Sequence, residues 1–160
     1  MAVNPIPDGY SSVTPYLALK QAADAIEFYR RAFGAKERMR LMAPDGKVAH
    51  AELTIGDSVV MLADEHPEMN FRSPESFNGT SVTLHLYVKD VDASFRKATE
   101  AGAKPLRQVE DQFYGDRTGA VRDPFGHVWH LATHKEDLSS EEIARRAEAA
   151  FKKQGKAEKR

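Results

Sequence analysis

The chain repeats itself. Asp24-Ala25 and Gly34-Ala35-Lys36 recur as Asp92-Ala93 and Gly102-Ala103-Lys104, each 68 positions further on. A constant offset marks a duplicated structural unit, and such units bury a core only by packing on one another. In the first copy the pattern predicts a strand over 12–19, with Val13 and Leu17 on one side and Thr14, Tyr16 and Ala18 on the other. Pro15 lacks an amide donor, which places that strand at a sheet edge. A helix follows over 21–33, because Ala22, Ile26, Tyr29 and Phe33 share one stripe and Ala25 and Phe28 widen it. Gly34 stops it. Strands over 36–43, 47–55 and 58–63 come next, turned at Asp45-Gly46 and Gly56-Asp57.

The second copy reads the same way. Residues 81–89 alternate strictly, with Val82, Leu84, Leu86 and Val88 opposite Thr83, His85 and Tyr87. Asp90 is a helix N-cap for 91–101. Strands over 104–113 and 115–122 lead to the Asp123-Pro-Phe-Gly126 turn, where Pro presets the first corner and Gly permits the reversal. The last strand puts Val128, His130 and Ala132 on one side and Trp129, Leu131 and Thr133 on the other. The expected fold is α+β: an arm over 1–11, a βαβββ module over 12–64, a linker over 65–80, a second module over 81–135, and a C-terminal helix with a basic tail over 136–160. That helix starts at Ser139 or Ser140, with Glu141 and Glu142 in its first turn, and runs to about residue 153.

Composition narrows the function classes. The 160 residues carry a formal net charge of −1 and no cysteine. Disulfides, zinc–thiolate sites and a cysteine nucleophile are excluded. The balanced charge gives no reason to expect nucleic acid or a membrane surface as a partner. The N-terminus lacks a basic segment followed by an apolar run, so a cytoplasmic location is expected.

Each module leaves one sheet face free of its helix. Two modules, of one chain or of two, can close those faces around a shared cleft, lined by Thr14, Tyr16, His50, Glu52, Thr54, Thr83, His85, Tyr87, Val128, His130 and Arg122. A cleft with aromatic walls and few polar groups suits a small molecule. The linker residues Met69, Phe71 and Phe77 suggest packing over such a pocket; the alternative is an ordinary surface linker. His66, His127 and His134, at turns or strand ends, are expected to be solvated. Arg117 or Arg122 could hold an anionic ligand, or Arg117 could form an exposed ion pair.

The paired modules, the Gly-Ala after each helix and a set of motifs together resemble the vicinal oxygen chelate superfamily, which includes glyoxalases, bleomycin-binding proteins and dioxygenases. The motifs are Thr14-Pro-Tyr-Leu17, His50-Ala-Glu-Leu53, Gly56-Asp-Ser58, Gly115-Asp-Arg117 and Asp123-Pro-Phe-Gly-His-Val-Trp129. As a set they resemble its PhnB-like branch.

The resemblance implies a divalent metal held at the first and last strands of each module. Those positions fall on Thr14, Thr83, Met61 (or Val60) and His130, and only His130 is a ligand for zinc, nickel, manganese or iron. A displaced site would use His130, His85 and His50 as ligands, with Glu52 and His130 as catalytic groups. Three functions follow as alternatives. One is a binding protein holding a small organic ligand through Tyr16, His50, Thr83, His85, Tyr87 and Arg122. Another is a metal-dependent lyase, isomerase or dioxygenase. The third is a metal-free acid/base enzyme using His130 or His85. A homodimer is expected from the open sheet edges and from the resemblance.

Overall fold

A computed structural model describes residues 3–157. The elements run β1 (Tyr16–Leu19), α1 (Ala22–Phe33), β2 (Lys36–Met42), β3 (Val48–Ile55), β4 (Ser58–Asp64), a 3-10 turn (Pro67–Met69), α2 (Pro74–Phe77), β5 (Thr83–Tyr87), α3 (Val91–Glu100), β6 (Lys104–Asp111), β7 (Asp116–Arg122), β8 (Val128–His134) and α4 (Ser140–Ala157). The duplicated α+β architecture is present. Each module forms a four-stranded mixed sheet, ordered β1-β4-β3-β2 and β5-β8-β7-β6. Both first strands, β1 and β5, are edges.

The first strand is shorter than its pattern predicts. Thr14 donates to the Ser11 carbonyl at 3.1 Å, which turns the chain before β1, and Val13 is exposed rather than in the core. The linker also holds more structure than expected. The final helix runs past residue 153, and the end of the basic tail, 158–160, lies outside the described residues. Among those described, no helix is long and apolar enough to cross a membrane.

The two helices meet. α1 packs on its own sheet and on α3, burying Ala22, Ala25, Ile26, Phe28, Tyr29 and Ala32. Full burial of a side chain the size of Ile26 or Phe28 is worth about 1.5–3 kcal/mol. The same cluster takes in Val91, Ala98, Val121, Phe125, Trp129 and Leu131 from the second module. One core therefore joins the helix-covered faces of both sheets, and the opposite face of each sheet lies outside it.

Asp123 sits at that junction, buried, and accepts four hydrogen bonds. Oδ1 takes the backbone N–H groups of Phe125 (3.0 Å) and His127 (2.9 Å), and so builds the turn. Oδ2 takes Trp129 Nε1 (2.9 Å) and the Tyr29 hydroxyl of α1 (2.7 Å). Burial, and next the Asp123 charge, hold the Tyr29 hydroxyl pKa well above its ordinary range. The turn is also docked from outside. Gly126 has φ +95°, and a Cβ there would lie 2.9 Å from Pro74 Cβ.

Both helix N-termini are capped from the last strand of their module. Asp64 Oδ1 accepts from Ala22 N–H at 2.9 Å, while its Oδ2 accepts from Val48 N–H at 2.7 Å. Thr133 Oγ1 accepts from Val91 N–H at 2.9 Å and donates to the Val88 carbonyl. Asp90 adds the expected local cap, accepting from Ala93 N–H at 2.9 Å.

His134, expected to be solvated, bridges two carboxylates despite its exposure. Nδ1 lies 2.7 Å from Asp116 and Nε2 2.9 Å from Asp137. This ties the chain leading into α4 to β7. Both nitrogens donate only in the imidazolium form, and hydrogen bonds first to Asp116 and then to Asp137 raise the His134 pKa above 6.5. Arg117 forms the ion-pair alternative, reaching Asp92 (2.8 Å) and Asp111 (3.1 Å).

Two outcomes follow. Asp123→Ala leaves several buried donors unpaired and should cost about 3 kcal/mol or more in urea unfolding, at least twice the loss from Tyr29→Phe. For His134 the folded pKa is the raised one. Its stabilisation is therefore complete below about pH 6.5 and lost as pH rises through the folded value. The melting-temperature gap between wild type and His134→Asn should be widest near pH 6 and close in alkali.

Candidate functional site

Of the two arrangements the sequence left open for the cleft, within one chain or across two, the first does not form. His50 and Glu52 lie on the first sheet, His85 and His130 on the second. The helices occupy the ground between the modules, so the two open faces stay separate.

On the first sheet one row reads Tyr16–Met61–Glu52–Met39 across β1, β4, β3 and β2. Glu52 is buried and bonded to the Tyr10 hydroxyl, and His50 Nε2 lies 3.2 Å from its other oxygen. Tyr16 O–H lies 2.8 Å from His50 Nδ1. Every donor is satisfied when Nε2–H donates to Glu52 and Nδ1 accepts from Tyr16. The Tyr10 hydrogen bond is the largest cause holding the Glu52 carboxyl below its ordinary range, followed among the lowering influences by His50 and Arg38. Arg38 also stacks over the Tyr10 ring at 4.7 Å. Burial raises the Tyr16 hydroxyl.

The matching row on the second sheet is His85–His130–Ala120–Arg107. His85 faces His130 directly, with ring centroids 6.3 Å apart. Thr83 is opposite Val128 instead. The first-strand residues level with the last-strand position are thus Tyr16 and His85, two places beyond Thr14 and Thr83. Burial, then Arg107 and His85, lower the His130 pKa, which favours the neutral ring. Tyr87 packs on His85 at 4.8 Å and donates to Asp116 at 2.8 Å. Arg122 is exposed at the end of β7, opposite Val128.

Within one chain these two rows do not complete a divalent-metal site. His85 and His130 supply two imidazoles, and their first-module counterparts are a phenol already bonded to His50 and the thioether of Met61. A catalytic zinc site takes three protein donors. Among the described residues no cluster of three or more His, Cys, Asp or Glu side chains is placed to hold a metal.

The largest cavity lies between the modules, an open space of about 700 Å³. Of the residues expected in the cleft, only Tyr16 lines it. Its walls include Phe71, Phe77, Val82, Leu84 and His127. Phe71 and Phe77 bring the linker to this cavity, whereas Met69 is exposed and outside its lining. His66 and Phe71 exchange backbone hydrogen bonds of 2.7 and 3.1 Å, closing a small loop. Glu65 then braces α2, accepting from Ser73 N–H at 2.8 Å and from the Ser76 hydroxyl at 2.7 Å. The Ser73 N–H bond is the main cause of a Glu65 pKa near 2. Phe71 is held 5.1 Å from the Tyr16 ring. His127 is not solvated: its Nε2–H donates to the Ala18 carbonyl at 3.1 Å on the free edge of β1.

Tyr10, Arg107 and Asp116 were not legible as site residues. Tyr10 is the one aromatic residue of the arm, and that was its only signal. Arg107 and Asp116 depend on cross-strand register.

Comparison with known proteins agrees with this architecture. The sequence profile of the Glyoxalase/Bleomycin resistance protein/Dioxygenase superfamily matches residues 12–131. An uncharacterised protein of Mycobacterium tuberculosis is 44% identical over 158 residues, covering 97% of this chain and 88% of the relative. The crystal structure of an Arabidopsis thaliana gene product superposes with a TM-score of 0.61 at 30% identity, over 77% of this chain and 98% of that one. TioX from Micromonospora gives 0.61 at 28% identity, over 81% and 100%. The chain belongs to the glyoxalase/bleomycin resistance protein/dioxygenase superfamily.

Proposed function

We propose that the protein is a PhnB-like member of this superfamily that binds a small organic ligand in the cavity between its two modules. The observation that carries the reading is the braced aromatic wall. Phe71 and Phe77 stand on a segment fixed by Glu65 and by the contact of Pro74 with the Asp123 turn; Phe71 packs on Tyr16, with ring centroids 5.1 Å apart, and all three rings line a space of about 700 Å³. That volume falls within the range of small-molecule sites. A wall held in place before binding lowers the ordering cost of association.

The open faces serve a homodimer in this reading. Met39, Leu41 and Tyr87 leave apolar surface exposed there. His50 with Glu52, and His85 with His130, then approach one another only between copies. Sedimentation equilibrium should give twice the chain mass, and a monomer at micromolar concentration would remove this part of the proposal.

Two further outcomes test the function. In a thermal-shift screen of aromatic small molecules, at least one compound should raise the melting temperature. Phe71→Ala should weaken its binding about tenfold, as expected for losing one large contact, while His85→Ala leaves it unchanged. A screen without hits rejects the reading. In a separate test, chelated protein re-exposed to zinc, nickel, manganese or iron(II) should retain well below one equivalent after desalting. Stoichiometric retention lost in His85→Ala/His130→Ala would restore the metal-dependent alternative.

A further inference from the structure

We infer that the ligand of the cavity between the modules is a planar aromatic anion: a flat ring system bearing a carboxylate or sulfonate. This rests on the reading of that cavity as the binding site.

The ring follows from the walls. Tyr16, Phe71 and Phe77 are three aromatic side chains around one space, and offset or edge contacts with a flat ligand are what such rings favour. Val82 and Leu84 of β5 supply an aliphatic side on which the same ring can lie.

The charge follows from what lines the cavity and what does not. No aspartate or glutamate belongs to the lining, and Arg72 is its one arginine or lysine. Of the three glutamates of the linker, Glu65 is spent on Ser73 and Ser76, and Glu68 and Glu75 lie outside the lining. Arg72 is held in place: its guanidinium lies 4.4 Å over the Phe77 ring, and one Nη donates to the Ser76 carbonyl at 2.9 Å. The remaining guanidinium N–H groups are unused, and among the described residues Arg72 meets no carboxylate. A positioned arginine with spare donors beside an acid-free aromatic pocket matches a flat anion, which takes paired hydrogen bonds from a guanidinium. Thr80 and Ser81 add hydroxyls at the same rim. The free edge of β1 adds backbone groups. Pro15 and Leu19 turn their carbonyls to β4, so alternation turns the N–H and C=O of Tyr16 toward the cavity.

The test uses three probes with one ring system: 2-naphthoate, neutral 2-naphthamide and the cation 2-naphthylmethylammonium. Binding to the full chain is measured by calorimetry. The carboxylate should bind about tenfold or more tightly than the amide, the gain expected from charge-assisted hydrogen bonds, and the cation weakest. Arg72→Gln should erase that preference, bringing carboxylate and amide to equal affinity. Phe71→Ala should weaken carboxylate and amide alike. Equal or better binding of amide or cation overturns the inference about charge and leaves the binding site standing. A carboxylate preference that survives Arg72→Gln also overturns it. If none of the three probes binds, both the inference and the site fall.

Discussion

The carboxyl group of Asp123 makes one molecule of two modules. Each βαβββ unit is too thin to shield a core alone, so the fold depends on α1 of the first unit lying against the second. Apolar contact supplies most of the energy but not the orientation. Orientation comes from a buried acceptor that demands partners. With Trp129, Phe125 and His127 already satisfied locally, the remaining bond from Tyr29 fixes how α1 meets the turn. The same turn carries Gly126 against Pro74 and His127 against the Ala18 carbonyl. The linker and the edge of β1 are therefore set by the interaction that joins the modules, and the cavity between them inherits that rigidity.

The two modules answer equal structural demands with different chemistry. Each needs its helix N-terminus capped from the last strand; the first uses Asp64 and the second Thr133. Each has a row across its open face, and there they part. Tyr16, Met61, Glu52 and Met39 form a phenol–thioether–carboxylate row, while His85, His130, Ala120 and Arg107 form a basic one. Duplication preserves what holds the backbone and leaves open-face side chains free to diverge.

This division decides what could be read from the sequence. Strands and helices were legible because they obey local periods: the α1 stripe around Ile26 and Tyr29, and the alternation around Leu84 and His85. The repeat at a fixed offset supplied the module count. What stayed hidden depends on how modules sit together. Nothing local says that Asp123 reaches Tyr29, or that the two helices lie between the modules and keep the open faces of one chain apart. Register was the other gap. A slip of two residues keeps every side chain on its own face, so alternation could not decide between Thr83 and His85 as the partner of His130. His127 is half-buried for a related reason: a residue at a turn is solvated only if no other element covers it.

The linker shows how an ordered cavity wall can look like a loop. Residues 65–80 lack a period because they form no long element, yet several of their polar groups hold the segment in shape. Glu65 holds Ser73 and Ser76, and Asn70 and Asn78 take left-handed backbone at the ends of two short turns. Such conformations strain most side chains and are tolerated by asparagine. A passive connection has no need of this, since loop closure costs little whatever the sequence. The ordering is explained if Phe71 and Phe77 must stand at fixed positions beside Tyr16, with Arg72 stacked where an anion can reach it.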